Sequence, residues 1–233
     1  MIKHYPYKDL GHHDLGWLDA HYHFSFADYL NRNRMGFGAL RVINDDVIMA
    51  GAGFDTHPHK DMEIITYVRK GAITHHDSKG NKGRTEAGSV QVMSAGTGIY
   101  HSEFNLESED THLFQIWIKP KYERVKPQWK AMQFPKGKIK ETLPLLVSGF
   151  EEDKQGSVLY IHQDARIYGG IIGEGQTLKH PITNQAYFLV SDGEVMVDGQ
   201  RLTKGDGAEI TKVRVVTVEA IKSSEILIID VPQ

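Results

Sequence analysis

The sequence predicts an all-β protein with two barrel-like domains in one chain. Short runs of β-branched and aromatic residues recur along it, separated by turn signals at regular intervals. The pattern fades across one segment that contains several prolines and then returns. Regularly spaced short strands are typical of β-sandwiches and β-barrels rather than of helical folds.

The first domain begins with Tyr22, Phe24 and Phe26, which alternate with polar residues and predict a strand with one buried face. Strongly β-prone segments follow at 40–44, 47–49, 64–68, 73–77, 89–93 and 113–118. Polar and glycine-containing stretches separate these segments, so each is expected to form its own strand. We assign residues 1–130 to this first domain.

A domain boundary is predicted where the β pattern fades. Prolines recur at positions 120, 127, 135 and 144, and we assign residues 131–145 to a linker. The second domain, 146–233, has β-prone segments at 158–161, 165–168, 185–190, 195–197, 200–202, 213–218 and 226–229. Asp198-Gly199 lies between two of these segments and is a strong hairpin signal.

The composition argues against several classes of protein. A net charge of −3 and an isoelectric point near 6.5 do not suit nucleic-acid binding through a basic surface. No apolar stretch is long enough to span a membrane. Cysteine is absent, so metal ligands would have to be nitrogen or oxygen atoms. The first residues contain no apolar run typical of a signal peptide, and we predict a cytoplasmic protein.

Two short segments of the first domain each place two metal-capable side chains on one face. Side chains alternate along a strand, so His57 and His59 point the same way, and so do His101 and Glu103. Two strand segments of this kind can form a compact metal site inside a β-barrel.

These segments resemble the two cupin motifs. The first motif is matched within one residue of spacing by Gly51-x5-His57-x-His59-x3-Glu63-x7-Gly71. The second is resembled by Gly88-x5-Ser94, with Gly96 and Gly98, and then His101-x3-Asn105. A serine stands where the second motif usually has proline, and Thr97-Gly98 lengthen the loop. Together, in this order and at this spacing, the two segments indicate a cupin barrel.

Further segments narrow the resemblance to the pirin family, especially its bacterial branch: Gly16-Trp17-Leu18-Asp19, Phe24-Ser25-Phe26-Ala27, His57-Pro58-His59-Lys60-Asp61-Met62-Glu63, Met93-Ser94-Ala95-Gly96-Thr97-Gly98 and His101-Ser102-Glu103. The resemblance implies a bicupin, that is, two jelly-roll barrels in one chain, with iron or another divalent metal in the first. It implies His57, His59, His101 and Glu103 as the metal ligands. Some family members are quercetin 2,3-dioxygenases, and the animal pirin is a nuclear transcription cofactor.

Two glutamates compete for the fourth ligand position. In many cupins this ligand is the residue matching Glu63, whereas the pirin pattern uses the one matching Glu103. We favour Glu103 as the ligand, and predict that Glu103, or a metal-bound hydroxide, is the catalytic base that takes a substrate proton. Glu63 is predicted to support a ligand histidine by fixing its orientation and tautomer. Asp61 has suitable strand parity and is predicted to be a bystander.

A site of three imidazoles and one carboxylate suits several divalent metals. Iron(II), copper, nickel, manganese, cobalt and zinc all accept such ligands, and ligand type alone does not choose among them. The resemblance favours Fe(II). Four protein ligands leave open positions in an octahedral shell, where a substrate oxygen and dioxygen could bind.

The second domain is predicted to be a degenerate copy of the first, without metal. Aligning Gly71 with Gly193 places Lys179 opposite His57 and Pro181 opposite His59. In the same alignment Gln185 stands opposite Glu63. The ligand positions of the first domain are therefore not kept in the second.

The remaining histidines are interpreted without a metal. His75 and His76 are adjacent, face opposite sides of a strand and are predicted to lie on the surface. His21 and His23 share a face and are interpreted as satisfied structural residues. Three further histidines have no visible partner and are also interpreted as structural: His112, His162 and His180.

Several aromatic and apolar residues are interpreted as barrel core: Phe24, Phe26, Phe37, Phe54, Met62 and Trp117. A flat aromatic substrate would still need apolar walls near the metal. Phe54, close to the strand that carries His57, is the one candidate for such a substrate-binding wall.

The predicted function is a metal-dependent dioxygenase that cleaves flavonols such as quercetin by 2,3-dioxygenation with release of carbon monoxide. This prediction depends on the family resemblance. The alternative is a non-catalytic, metal-sensing regulatory protein that binds partner proteins, as the animal relative does. A third possibility is that quercetin cleavage is a side activity of an enzyme with another substrate. We predict a monomer that acts on a small aromatic substrate and O2, with no nucleic-acid or membrane partner.

Overall fold

A computed structural model describes residues 1–134, 137–154 and 156–233, and these residues form an almost entirely β structure. The two short 3₁₀ helices are Tyr7–Asp9 and Glu151–Asp153. The prediction of an all-β fold is confirmed. Within the described ranges, no helix is long and apolar enough to cross a membrane.

The strands of the described residues are, in chain order, β1 (Ile2–Tyr5), β2 (Gly11–Asp14), β3 (Leu18–Tyr22), β4 (Leu40–Ile48), β5 (Gly53–His59), β6 (Glu63–Lys70), β7 (Ala72–Asp77), β8 (Lys82–Glu86), β9 (Ser89–Ser94), β10 (Ile99–Phe104), β11 (Thr111–Ile118), β12 (Gln128–Gln133), β13 (Leu145–Ser148), β14 (Leu159–Tyr160), β15 (Arg166–Ile172), β16 (Thr177–Pro181), β17 (Gln185–Asp192), β18 (Glu194–Val197), β19 (Gln200–Thr203), β20 (Gly207–Ile210), β21 (Val215–Ala220) and β22 (Ser224–Val231).

The chain divides into two compact units. The first barrel consists of Gly11–Pro135 and Leu159–Gln163, and the second of Met1–Leu10, Lys136–Val158 and Asp164–Gln233. The first ten residues group with the second barrel because β1 pairs with β20. The sequence of a four-residue strand does not indicate which sheet the strand joins. The sequence-based division into 1–130 and 146–233 therefore assigns residues 1–10 to the first domain, whereas the structure groups them with the second. Strand β12 also extends to Gln133, past the predicted start of the linker.

The first barrel is a jelly roll of two antiparallel sheets. The larger sheet has the strand order β12-β9-β6-β11-β4-β3-β2, and the smaller has the order β5-β10-β7-β8. Between β4 and β11 the chain crosses repeatedly from one sheet to the other, with only β7 and β8 consecutive in the same sheet, so the inner faces of the two sheets enclose one interior. Apolar residues of that interior include Leu18, Tyr22, Ile48, Val68, Ile73 and Leu113.

The second barrel repeats this arrangement. Its larger sheet contains the order β20-β17-β22-β15 and its smaller sheet the order β16-β21-β18-β19, which match β9-β6-β11-β4 and β5-β10-β7-β8 when eleven is added to each strand number. Apolar side chains fill its interior, among them Phe188, Val190, Val195, Val218, Ile226 and Ile228. The prediction of two jelly-roll barrels in one chain is confirmed.

The proposed alignment of the two halves is off by one residue on β16. Lys179 and Pro181 are exposed, whereas Leu178 and His180 are buried and point inward. A one-residue shift of register exchanges the two faces of a strand, so Leu178 and His180 occupy the inward positions of β16. His180 packs edge to face against Tyr168, with 4.4 Å between ring centroids.

We expect His180 to make the second barrel sensitive to acid. Burial lowers the pKa of His180 to about 4, and among the residues described its Nε2 has no hydrogen-bond partner. Below pH 6.5 the unfolded chain binds a proton at this position that the folded chain does not. The free energy of unfolding should therefore fall as the pH drops from 6.5 towards 4.

Urea unfolding of His180→Leu at pH 7.5 and pH 5.0 tests this prediction. Relative to the parent protein, the variant should gain up to about 2 kcal/mol at the lower pH, since each pH unit contributes at most about 1.4 kcal/mol. A stability difference that is the same at both pH values would contradict it.

Candidate metal centre

Three imidazoles meet on the inner face of the smaller sheet of the first barrel. Strand β5 carries His57 and His59, and its neighbour β10 carries His101 directly opposite His57. The ring centroids are 4.4 Å apart for His57 and His101, 4.9 Å for His57 and His59, and 5.0 Å for His59 and His101. Each ring offers one nitrogen atom, and these three atoms lie within 4.8 Å of one another.

A tight turn before β10 sets the position of His101. Gly96 adopts a φ of 44°, and a Cβ atom at this residue would lie 1.9 Å from the carbonyl oxygen of Val125. Glycine is therefore required here, both for the left-handed backbone conformation and because the backbone at Val125 approaches so closely. The N–H of Gly98 donates to the carbonyl of Ala95 at 2.9 Å and closes the turn.

The imidazoles present free ring nitrogens to one another. Nδ1 of His57 donates to the backbone carbonyl of Asp55 at 2.7 Å, which leaves its Nε2 lone pair available. Nε2 of His101 is buried and has no hydrogen-bond partner within the described part of the chain. Burial, followed by the neighbouring imidazoles, lowers the pKa of His59 to about 4 and that of His101 to about 2. Neutral imidazoles with unshared lone pairs fit a divalent metal ion.

His75 stands behind His101, away from the other two imidazoles. It is fully buried, its ring stacks on Trp129 with centroids 5.0 Å apart, and its Nδ1 lies 3.4 Å from Nδ1 of His101. The prediction that His75 lies on the surface is wrong. Alternation along β7 places His75 on the same face as the buried Ile73, while His76 faces outward and is exposed.

Asp77 fixes the tautomers of both histidines. Burial raises the pKa of Asp77, but hydrogen bonds from His75, Asn81 and the backbone outweigh this effect and lower it overall. The carboxylate is therefore ionised and can only accept hydrogen bonds. Nε2 of His75, 3.0 Å away, must then carry the proton and donate it. Nδ1 of His75 consequently accepts from Nδ1–H of His101, and the lone pair of His101 is left on Nε2, towards the other imidazoles.

Replacing His75 should weaken metal binding without unfolding the barrel. His75→Phe keeps a ring that can stack on Trp129 but removes the acceptor for His101, so we expect the affinity for a divalent metal to fall about 10–100-fold. Competition with a chromophoric chelator measures this affinity. His76→Phe, on the exposed side of the same strand, is the matched control and should leave it unchanged. If His75→Phe and the parent protein bind the metal with equal affinity, the hydrogen bond from His101 to His75 does not support metal binding.

Glu103 lines the same interior but has its own set of partners. One of its oxygens accepts from the side-chain amide of Gln91 at 2.6 Å and the other from that of Gln115 at 3.0 Å. Its carboxylate shares a group of ligand atoms with His75 and His101, all within 4.8 Å of one another. The register of β10 against β5 shifts between His101 and Glu103. Burial, opposed by these hydrogen bonds, raises the pKa of Glu103 to about 7.

Threonine hydroxyls orient the two amides that hold Glu103. Thr85 donates to the amide oxygen of Gln91 at 2.8 Å, and Thr66 lies 3.3 Å from the amide oxygen of Gln115. Both NH2 groups are therefore directed at the carboxylate. Both amides are part of a row of polar side chains that crosses the inner face of the larger sheet. Each residue of this polar row is paired with the next on the neighbouring strand: Tyr22, Asn44, Gln115, Thr66 and Gln91.

Glu63 does not accompany the three imidazoles. It is fully buried, accepts a 2.6 Å hydrogen bond from Ser94, and lies 3.3 Å from Nδ1 of His162. Its neighbour Ile64 lines the interior, so Glu63 points to the other face of the sheet. A supporting role for Glu63 beside a ligand histidine therefore does not fit its contacts. His162, interpreted from sequence as lacking a partner, has Glu63 and Ser94 beside it.

A cavity of about 260 Å³ opens onto the imidazoles and Glu103. Its apolar walls include Phe26, Phe54 and Trp117. The ring of Trp117 lies edge to face against His59, with 4.9 Å between centroids. Phe54, predicted as a wall, is therefore joined by two aromatic residues that were interpreted as core.

Comparison with known proteins identifies the family. The Pirin family model matches residues 4–118, and the Quercetinase C-terminal cupin domain model matches residues 145–231. A Pirin-like protein of Caulobacter vibrioides is 49% identical over 232 residues, which cover 99% of each chain. The chain belongs to the pirin family.

Two further relatives of this pirin family member carry functional information. Quercetin 2,3-dioxygenase of Escherichia coli K12 is 42% identical over 228 residues, covering 97% of this chain and 96% of that protein. The crystal structure of the bacterial pirin YhhW from Escherichia coli in complex with nickel(II) superposes with a TM-score of 0.92 at 41% identity, covering 100% of this chain and 99% of that one. The chain is thus a quercetin 2,3-dioxygenase-like oxidoreductase, and its imidazole cluster lies in a fold that binds a divalent metal in a relative.

Sequence reasoning missed the residues that surround the imidazoles of this pirin. His75 and Asp77 share one face of β7, and the apolar Ile73 on that face was the signal that it points inward. The amides of Gln91 and Gln115 gave no such signal, because they come from different strands and meet Glu103 only through the pairing of the sheets.

Proposed function

We propose that this protein is a metal-dependent dioxygenase that cleaves flavonols such as quercetin, with 2,3-dioxygenation and release of carbon monoxide. The observation that carries the proposal is the cavity with aromatic walls that opens onto three imidazoles and a buried carboxylate. The quercetin 2,3-dioxygenase relative, aligned over nearly the whole chain, supports the same substrate class.

The proposed metal ligands are His57, His59 and His101, with Glu103 as the fourth. A divalent ion held there would supply a Lewis acid for a substrate oxygen and open positions for dioxygen. Nδ1 of His57 donates to a backbone carbonyl and Nδ1 of His101 to His75, so the Nε2 atoms of both rings would be free to bind such an ion. We propose iron(II) as the native metal, and elemental analysis of protein purified without added metal tests this choice against nickel, copper, manganese, cobalt and zinc.

The remaining roles fall to side chains of the cavity. Glu103 is proposed to take the proton of the flavonol 3-hydroxyl group, because it is the carboxylate that lines the cavity next to His101. Phe54, Phe26 and Trp117 would hold the flat ring system between apolar faces. The same walls keep water away from the reacting atoms.

Stoichiometric gas measurements test the function. Protein loaded with iron(II) or nickel(II) should consume one O2 and release one CO for each quercetin, while metal-free protein should do neither. The balance requires this ratio, since both oxygen atoms enter the ring-opened ester and one ring carbon leaves as CO. Absence of turnover with every metal, together with tight flavonol binding or none, would reject the dioxygenase in favour of a non-catalytic role.

A further inference from the structure

The wall of the cavity carries two polar side chains that the chemistry proposed above does not use. Asn44 and Asp46 lie on the inner face of β4, and both line the cavity. Their exposed fractions are 4% and 3%. Within the described residues, Oδ1 of each side chain has no hydrogen-bond partner. Buried polar atoms without a partner are uncommon in native proteins, and two on adjacent inward positions point to a missing ligand.

The neighbouring strands do not satisfy these atoms. Asp46 is paired across the sheet with Ala20 on β3 and Leu113 on β11, and neither side chain can form a hydrogen bond. Asn44 is paired with Tyr22 on β3, which forms no hydrogen bond with Oδ1 of Asn44, and with Gln115 on β11, whose amide is already held by Glu103 and Thr66. The polar atoms on β4 are therefore directed to whatever occupies the cavity.

The chemistry of the pair suits a hydroxyl group. Burial, and next the charge of Asp45, raise the pKa of Asp46 well above its usual value, with Arg69 opposing. A neutral carboxylic acid both donates and accepts hydrogen bonds, and so does a phenolic hydroxyl group. Apart from the three imidazoles, Glu103 and Gln115, the rest of the wall is apolar or aromatic, which suits the ring that would carry such a group.

We propose that Asn44 and Asp46 form a polar subsite that binds a second hydroxyl group of a multiply hydroxylated aromatic substrate, distinct from the hydroxyl beside the imidazoles. This inference rests on the proposed function for the class of ligand, and it adds the residues that select among members of that class. A flavonol with the 3-hydroxyl group alone would leave the subsite unpaired, and a site with unpaired buried polar groups discriminates against such a ligand.

Equilibrium binding to the metal-loaded protein without oxygen tests the subsite without catalysis. Quercetin and 3-hydroxyflavone are titrated calorimetrically, under anaerobic conditions, into the nickel(II)-loaded parent protein, Asn44→Leu, Asp46→Leu and Asp46→Asn. We expect quercetin affinity to fall on the order of tenfold in each leucine variant, with little change for 3-hydroxyflavone. Asp46→Asn, whose side chain can still donate and accept hydrogen bonds, should retain part of the preference for quercetin over 3-hydroxyflavone.

Two controls separate recognition from folding. Thermal unfolding of the leucine variants should occur at the same or a higher temperature, because an unpaired buried polar group is removed. Asp192→Asn, an exposed carboxylate of the second barrel that pairs with Lys204, should bind both ligands as the parent does.

The outcomes distinguish the subsite from the dioxygenase. Equal losses for both flavonols, no loss for either, or no quercetin binding by the parent protein would each overturn the subsite. If quercetin is cleaved but the variants keep the parent preference, the subsite fails and the dioxygenase stands. If no flavonol is cleaved but the variants lose the preference, the subsite stands and the dioxygenase fails.

Discussion

His59→Ala should abolish retention of a divalent metal ion and, with it, the oxygen-dependent consumption of quercetin. The variant leaves two of the three clustered imidazoles, His57 and His101, to hold the ion. Loss of an outer partner of a metal ligand already costs about 10–100-fold in affinity, and loss of a ligand itself should cost more. The side chain lies near the end of β5 and is only half-buried, so the barrel should remain folded.

Elemental analysis after dialysis, together with oxygen-electrode traces, measures both losses. His76→Ala removes an exposed histidine from the same sheet and should change neither quantity. Near-ultraviolet circular dichroism and thermal unfolding show whether His59→Ala keeps its fold. A variant that is folded, retains one ion per chain and consumes oxygen at the parent rate would remove this cluster from the mechanism.

The comparison of the two barrels explains why a reactive site is expected in only one of them. Both have the same strand order, but their inner faces differ along one cross-strand row. In the larger sheet of the first barrel, residues paired across neighbouring strands form the row Asn44, Gln115, Thr66 and Gln91. The equivalent row in the second barrel is Tyr168, Ile228, Phe188 and Ala208. Two amides of the first row, those of Gln91 and Gln115, donate hydrogen bonds to the carboxylate of Glu103. The residues of the second row are part of the apolar core of the second barrel or pack against it. One fold thus supplies both a site and a filled interior, and the side chains decide which.

Alternation along a strand was enough to predict the imidazole pair on β5 and the His101–Glu103 pair on β10. The rule needs only neighbours in sequence, and the structure brings the three imidazoles together as that rule implies. The choice between Glu63 and Glu103 as cavity residue needed the family resemblance. Only the folded sheet shows that Glu63 faces Ser94 and His162 instead.

Features that depend on cross-strand register could not be predicted in this way. The polar row comes from five strands that are far apart in sequence, and no local pattern encodes which residues face each other across a sheet. The unpaired oxygens of Asn44 and Asp46 belong to the same category. In the sequence, Asn44-Asp45-Asp46 looked like a break between two strands, yet β4 runs unbroken from Leu40 to Ile48. Tertiary burial overrode the turn propensity of these residues.

Glu103→Gln should lower kcat by roughly 100- to 10,000-fold, the range for loss of a positioned base, because the amide cannot take the proton of the 3-hydroxyl group. The same variant should lose about 1–3 kcal/mol of folding free energy. The amides of Gln91 and Gln115 both direct NH2 groups at residue 103, and the hydroxyls of Thr85 and Thr66 hold them in that orientation. A glutamine at 103 has one acceptor oxygen for these two donors. Steady-state oxygen uptake and urea unfolding measure the two effects.

An exchange of the two side chains separates these effects. In Glu103→Gln/Gln115→Glu the carboxylate moves to β11, where it accepts from the new amide at 103 and from Thr66, while Gln91 donates to the oxygen of that amide. The buried donors and acceptors are matched again, so the double variant should regain most of the lost folding free energy. It should stay inactive, because the carboxylate no longer stands beside His101 on β10. Recovery of activity together with stability would contradict the requirement for a carboxylate at position 103, because a carboxylate at 115, which also lines the cavity, would then take the proton equally well.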